Sequence, residues 1–229
     1  MLNKELLTLP VTELAKLIKN RQLSSVDLTT MLLQHAHQYN PEINAYISFR
    51  DERALAEAAK ADEEIAQGNY KGTFHGIPMG IKDNIYLGGE VTSMASKIHS
   101  KFVSVDDASV IEKLKAAGAI ILRKLNIHEY AWGITNNSPH FGACHNPWNL
   151  EKIPGGSSGG SGASVAAGMS TITMGTDTAG SIRIPSSACG LVGLKPTHGL
   201  VAKYGCFPLA WSLDHIGPMA KTVQDAAAM

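Results

Sequence analysis

The chain has 229 residues, 44% hydrophobic and 17% charged, a composition that excludes disorder and fits a globular protein of one large domain or two small ones. Twenty basic residues balance twenty acidic ones, so no global field points to nucleic acid or a membrane surface, and no apolar run approaches the ~18 residues of a membrane span. Three cysteines, Cys144, Cys189 and Cys206, are odd in number and widely spaced, which argues against a disulfide framework and against a zinc site.

The N-terminus, MLNKELLTLPVTELAKLIKN, has neither the long apolar core nor the small-residue cleavage site of a signal peptide, and the default location is cytoplasmic. Residues 11–20 read as a short helix with Leu14, Leu17 and Ile18 on one face. Ser24 to Asp27 fits a capping box, from which an amphipathic helix should run to about Gln38 before Pro41 breaks it. Ala45–Phe49 is a candidate strand. Arg50–Gln67, rich in Ala, Glu and Lys, is a helix closed by Gly68–Asn69. In HGIPMGIKDNIYL (75–87), Ile77, Met79 and Ile81 alternate with Gly and Pro, as in a strand that delivers Lys82 into a loop. Asp106–Gly118 reads as a helix and Ala119–Leu122 as a buried strand, and the alternation indicates α/β layering. Residues 124–153 are mostly irregular. Gly162–Met169 should form a helix of small residues and Ser170–Gly175 a strand, with apolar and Gly residues alternating over 190–201. Thr222 to Asp225 is another capping box, and the chain stops so soon after it that the C-terminus looks cut within an element.

The chemistry concentrates in residues 154–197. Gly155 to Gly160 form one Gly/Ser cluster, and Thr176 to Ser181 form a second cluster of Thr, Asp, Ala, Gly and Ser. Hydroxyls set among small residues and exposed backbone amides point to nucleophilic chemistry. Generic patterns carry little here. Gly155-x-Ser157-x-Gly159 and Gly156-x-Ser158-x-Gly160 fit the nucleophile elbow, but a Gly/Ser run matches it almost automatically, and Asp214 and His215, as chain neighbours, cannot orient each other as a triad requires. Gly190-x-x-Gly193-x-Lys195 lacks phosphate-loop spacing. The nine histidines form no metal motif. Taken singly, Lys82 reads as a solvated or Asp83-paired lysine, and Ser157 and Ser181 as turn serines. Their combination reads otherwise.

The segments GIPMGIKDN (76–84), PGGSSGGSGASVAAG (154–168), GTDTAGSIRIPSSACGLVGLKPT (175–197) and SLDHIGPMAKTVQDAA (212–227) closely resemble the amidase signature family, and the likeness covers nearly the whole chain. The resemblance implies an α/β amidase signature fold, a mixed β-sheet core wrapped by α-helices, as a single domain over 1–229 with a helical N-terminal segment of about 1–70 and a catalytic core of about 71–229. It also implies a Ser-cis-Ser-Lys triad: Lys82 as base, Ser157 as the middle serine after a cis peptide, and Ser181 as nucleophile. The separations, 157 − 82 = 75 and 181 − 157 = 24 residues, follow the family pattern.

A lysine can act as base only when neutral, and burial of Lys82 would lower its pKa from about 10.4. Ser157 would pass its proton to Lys82 and take one from Ser181, which attacks the amide carbonyl. The backbone amides of Thr178, Ala179, Gly180 and Ser181 are the expected oxyanion donors, worth roughly 3–4 kcal/mol each in comparable sites. Ala179–Gly180 stands where the family usually has two glycines. Ser158 is a rival to Ser157, Asp177 and Arg183 are expected to hold the nucleophile loop, and Cys189 is expected to be an inert buried thiol. The resemblance calls for no cofactor, no metal, no membrane and no direct contact with nucleic acid. It implies a small-molecule amide substrate and length beyond residue 229. Three readings follow: an amidase, the glutaminase subunit of a glutamine-dependent aminoacyl-tRNA amidotransferase with its partner subunits, or an inactive truncated fragment.

Overall fold

The computed structural model describes residues 4–229; the first three residues of the N-terminal segment lie outside the described part. After a 3₁₀ turn (Lys4–Thr8), α1 (Val11–Lys19) buries Val11, Leu14, Ala15 and Ile18 at helical spacing. α2 (Ser25–Ile43) opens at Ser24, whose hydroxyl accepts the Asp27 amide at 2.9 Å. Asp62, on α3 (Asp51–Ala66), accepts the next free amides, those of Ser25 and Val26, at 2.7 and 3.0 Å.

α2 does not stop before Pro41 but runs through it. The proline sits in the final turn, where one missing N–H is tolerated, and Asn44 at φ 52 ends the helix by donating to the Asn40 carbonyl at 2.7 Å. The strand expected over 45–49 shrinks to a single bridge between Tyr46 and Leu125. The Asn40 side chain takes both backbone groups of Tyr46, accepting its amide at 2.8 Å and donating to its carbonyl at 3.1 Å, and so competes with a sheet ladder.

The sheet is built from β1 (Pro78–Lys82), β2 (Ile120–Leu125), β5 (Thr173–Asp177), β6 (Val192–Gly193) and β7 (His215–Ala220) in the order β2-β1-β5-β7-β6. The first three are parallel, β7 runs against β5, and β6 runs against β7, so the sheet is mixed, as the resemblance implies. Between β1 and β2 lies α4 (Ser109–Ala116). It starts later than the sequence indicates because residues 106–108 serve a loop, with Asp107 accepting the Gly88 amide at 2.8 Å. A 3₁₀ turn (Glu129–Ala131) and a small hairpin, β3 (Asn137–Ser138) with β4 (Gly142–Ala143), interrupt the irregular stretch after β2.

α5 (Gly159–Ala166) begins inside the first Gly/Ser cluster, three residues before the expected Gly162, and packs on β1, β5 and β7. α6 (Arg183–Cys189) and β7 have no counterpart in the sequence reading. Pro185 falls in the first turn of α6, where proline is at home, and Pro218 in β7 serves the sheet through its carbonyl, which accepts the Leu194 amide at 3.1 Å. α7 (Val223–Ala228) closes the chain, with Thr222 accepting the Asp225 amide at 3.1 Å. One large apolar cluster joins α1–α4 to β1, β2, β5 and β7, and a smaller one gathers Tyr46, Leu125, Ala163 and Met169. The parallel strands β1 and β5 therefore end side by side in a covered sheet, where open α/β sheets place their sites.

Candidate active site

The register of β1 on β5, Gly80 beside Thr173 and Ile81 beside Met174, carries Lys82 to the end of β5. Lys82 is fully buried. Its Nζ lies 2.7 Å from Ser157 Oγ, 2.7 Å from Thr176 Oγ1 and 3.5 Å from the Thr176 carbonyl. Asn84 donates to the same Thr176 hydroxyl at 3.2 Å. Burial pulls the Lys82 ammonium from 10.5 down to about 7, against smaller upward pulls from Cys206, Asp177 and Asp214.

Asp83, the residue most able to turn Lys82 into a structural ion pair, faces elsewhere. It accepts the Ser93 amide and hydroxyl at 2.9 and 2.5 Å and lies 3.4 Å from the buried Lys124 ammonium. Three neighbours around Nζ suit both protonation states of Lys82. An ammonium donates to all three oxygens. A neutral amine donates to the two Thr176 oxygens and turns its lone pair to the Ser157 hydroxyl.

Ser157 follows a cis peptide from Gly156, the geometry implied for the middle serine. Its carbonyl accepts the His128 amide at 3.1 Å. Gly155, at φ +80, would put a Cβ 2.8 Å from Pro185 Cα, so this turn admits no side chain. Ser158, the rival hydroxyl, points to β5: it donates to the Thr176 carbonyl at 3.1 Å and accepts the Thr176 amide at 3.3 Å. It laces α5 to the sheet.

Ser181 lies in the turn from β5 to α6, 8% exposed, on the wall of a cavity of about 390 Å³ lined also by Trp132, Ile134, Ile184, Leu209 and Leu213. Among the described residues no hydrogen bond joins the Ser157 and Ser181 hydroxyls. The turn is held by Asp177, which accepts the amides of Gly180 at 2.8 Å and Ile182 at 3.1 Å and a two-pronged bond from Arg183, Nε and Nη2 each at 3.0 Å. Burial alone would push the Asp177 carboxyl up, but Arg183 and the turn amides outweigh it and hold the carboxyl below its ordinary range. The Gly180 amide donates to the Asp177 carboxylate at 2.8 Å, whereas the amides of Thr178, Ala179 and Ser181 donate to no group among the described residues.

Cys189 is buried, donates weakly to the Pro154 carbonyl at 3.4 Å, and has its thiol pushed up to about 12 by burial, the inert form expected. Asp214 does not orient His215. It accepts the Thr178 hydroxyl at 2.5 Å, while His215 Nε2 lies 3.4 Å from Lys195 Nζ. Sequence reasoning missed Thr176, Asn84 and the Thr178–Asp214 bond. Each is visible only once β1, β5 and β7 are in register. Among the described residues no group of His, Cys, Asp and Glu could hold a metal ion, and no helix is long and apolar enough to cross a membrane.

The Amidase family model matches residues 27–229. The chain is 46% identical to a glutamyl-tRNA(Gln) amidotransferase subunit of Geotalea daltonii over 225 residues, 98% of this chain and 46% of that protein. Its identity to the subunit of the same name in Pseudomonas aeruginosa is 46% over 221 residues, 96% of this chain and 46% of that one. Among solved structures, the peptide amidase of Stenotrophomonas maltophilia superposes with a TM-score of 0.92 at 39% identity, covering 96% of this chain and 46% of that one. The corresponding glutamyl-tRNA(Gln) amidotransferase subunit of Thermotoga maritima superposes with a TM-score of 0.84 at 40% identity, over 99% and 47% of the two chains. The chain spans about half the length of the relatives it matches.

Proposed function

The chain belongs to the amidase family, and from that premise we propose that it carries the reacting groups of an enzyme that hydrolyses a carboxamide C–N bond, with Ser181 as nucleophile, Ser157 as proton relay and Lys82 as base. The observation that carries the reading is the contact of 2.7 Å between Ser157 and a fully buried lysine that has no ion-pair partner among the described residues. Such a lysine loses its proton as pH rises through about 7, and the neutral form is the one a general base needs.

The chemistry balances. Ser157 gives its proton to Lys82 Nζ and takes the proton of Ser181, whose Oγ bonds to the amide carbon. The carbonyl oxygen, now an anion, accepts from the free amides of Thr178, Ala179 and Ser181. The C–N bond breaks, and the departing nitrogen takes a proton from the Lys82 ammonium by way of Ser157. Water then attacks the Ser181 ester and loses a proton along the same route, releasing acid and restoring the serine. A serine-directed fluorophosphonate tests this reading by intact-mass measurement. Wild-type protein should gain a single adduct on Ser181 and Ser181→Ala none. An adduct that persists in Ser181→Ala overturns the assignment, and a wild-type chain that never reacts is the outcome of the inactive-fragment reading.

A second reading narrows the substrate to glutamine and adds partner subunits. It is supported by the curated relatives, which are named as subunits of glutamyl-tRNA(Gln) amidotransferase and share 44% to 48% identity over nearly all of this chain. Ammonia release from glutamine should then exceed that from simple carboxamides, and the protein should co-purify with partner subunits. Faster release from simple carboxamides by a protein that purifies alone returns the assignment to a free-standing amidase.

A further inference from the structure

The segment SLDHIGP (212–218) lies outside the proton relay, yet its carboxylate reaches the nucleophile turn. Asp214 is buried at 8% exposure. Its Oδ1 accepts the Thr178 hydroxyl at 2.5 Å and the Ala210 amide at 3.1 Å; its Oδ2 accepts the amides of Leu209 and Ala210 at 2.9 and 3.0 Å. One carboxylate thus ties the turn after β5 to the turn before β7. Both turns wall the cavity that holds Ser181. Thr178 is the first residue after β5 and has a free amide. Its flank toward Ala179 is exposed, and Gly180, on the far side, is fixed separately by Asp177. The turn therefore has two anchors, Asp177 at its nucleophile end and Asp214 at its strand end.

We propose that Asp214 is a positioning residue for the Ser181 site: by gripping the Thr178 hydroxyl it aims the Thr178 and Ala179 amides at the position of the developing oxyanion. This rests on the reading of Ser181 as nucleophile. Asp214 touches no reacting atom. Its carboxylate only accepts, while its backbone amide donates to the Ala210 carbonyl at 2.9 Å. An asparagine keeps an oxygen for the Leu209 and Ala210 amides and turns its NH₂ to the Thr178 oxygen, giving up the second Ala210 contact, whereas an alanine keeps none of these bonds.

The test is a double-mutant cycle on the full chain, read by the rate of Ser181 acylation and by amide hydrogen exchange. Asp214→Ala and Thr178→Val should each lower kcat on the order of 10- to 100-fold with little change in KM, as a small misplacement of oxyanion donors does. The double variant should be no worse than the weaker single one, because both remove the same bond. Asp214→Asn should recover most of the rate. Exchange at Leu209 and Ala210, whose amides Asp214 accepts, should quicken in Asp214→Ala and much less in Asp214→Asn. Additive losses, a loss confined to KM, or unchanged exchange at Leu209 and Ala210 in Asp214→Ala would overturn the proposal. Should Asp214→Ala fail to fold, Thr178→Val and Asp214→Asn give the same comparison, and full activity in Thr178→Val overturns it. An inert wild-type chain instead removes the nucleophile reading itself, so the two failures are distinct.

Discussion

At the scale of single residues, the site turns on a lysine that is expensive to bury. Folding lowers the Lys82 pKa from 10.5 to about 7. Below pH 7 the folded protein bears the full cost of holding a buried ammonium. Between about 7 and 10.5 the unfolded chain binds a proton that the folded chain does not, so this residue's contribution to stability improves as pH rises. With Lys82 as the proposed base, reaction rate should climb through pH 7 and level off above it. Lys82→Met should abolish the reaction while raising the thermal midpoint at pH 6, by the equivalent of about 1–4 kcal/mol, as replacing buried charge by a fitting hydrophobe often does. A midpoint that falls or stays put counts against the depressed pKa. Ser157→Ala, which leaves the lysine and Ser181 in place without a relay, should slow acylation on the order of 10²- to 10⁴-fold in a single-turnover measurement.

At the scale of elements, α5 shows why the Gly/Ser cluster is so poor in side chains. A Cβ on Gly160 would stand 2.5 Å from the carbonyl oxygens of Ala45 and Asn126 and 2.6 Å from the Asn126 nitrogen. The obstacle is backbone from the Tyr46 bridge segment and from the end of β2, which cannot swing aside. Gly162, further along the helix, would meet atoms no nearer than 3.2 Å. Gly160→Ala is therefore expected to cost about 1–3 kcal/mol, read as a lower midpoint in denaturant or heat, with Gly162→Ala milder. Equal costs would contradict the packing described. Ser158 is the N-cap of α5 and Ser157 the residue before it, and the two hydroxyls turn to opposite duties, Ser158 to the Thr176 backbone and Ser157 to Lys82.

At the scale of the whole molecule, the two ends of the described chain clasp each other. Pro10 precedes α1 and offers no side-chain cap. Asp225 of α7 supplies it from the far end, accepting the amides of Val11 and Thr12 at 3.0 and 2.9 Å, while Lys221 donates to the carbonyls of Leu7 and Leu9. Asp225→Ala should lower stability by about 0.5–2 kcal/mol, the usual worth of an N-cap. The rate of Ser181 labelling per folded molecule should be unchanged. Loss of labelling at unchanged stability would mean that the clasp serves the site directly.

The sequence by itself determined the helices α1 and α3, the start of α2, the strand that delivers Lys82, and the lysine and serine, Lys82 and Ser157, that meet, because periodicity, caps and a long motif are written in contiguous residues. It did not reveal that α2 passes through Pro41, that β7 tolerates Pro218, that Thr176 shares the lysine, or that Gly180 is spent on Asp177. The tertiary structure alone decided those. Parallel register and bonds such as Lys82 to Thr176 or Thr178 to Asp214 join segments separated by two or more elements, and no local propensity encodes which strands lie side by side. Only packing brings those atoms within reach.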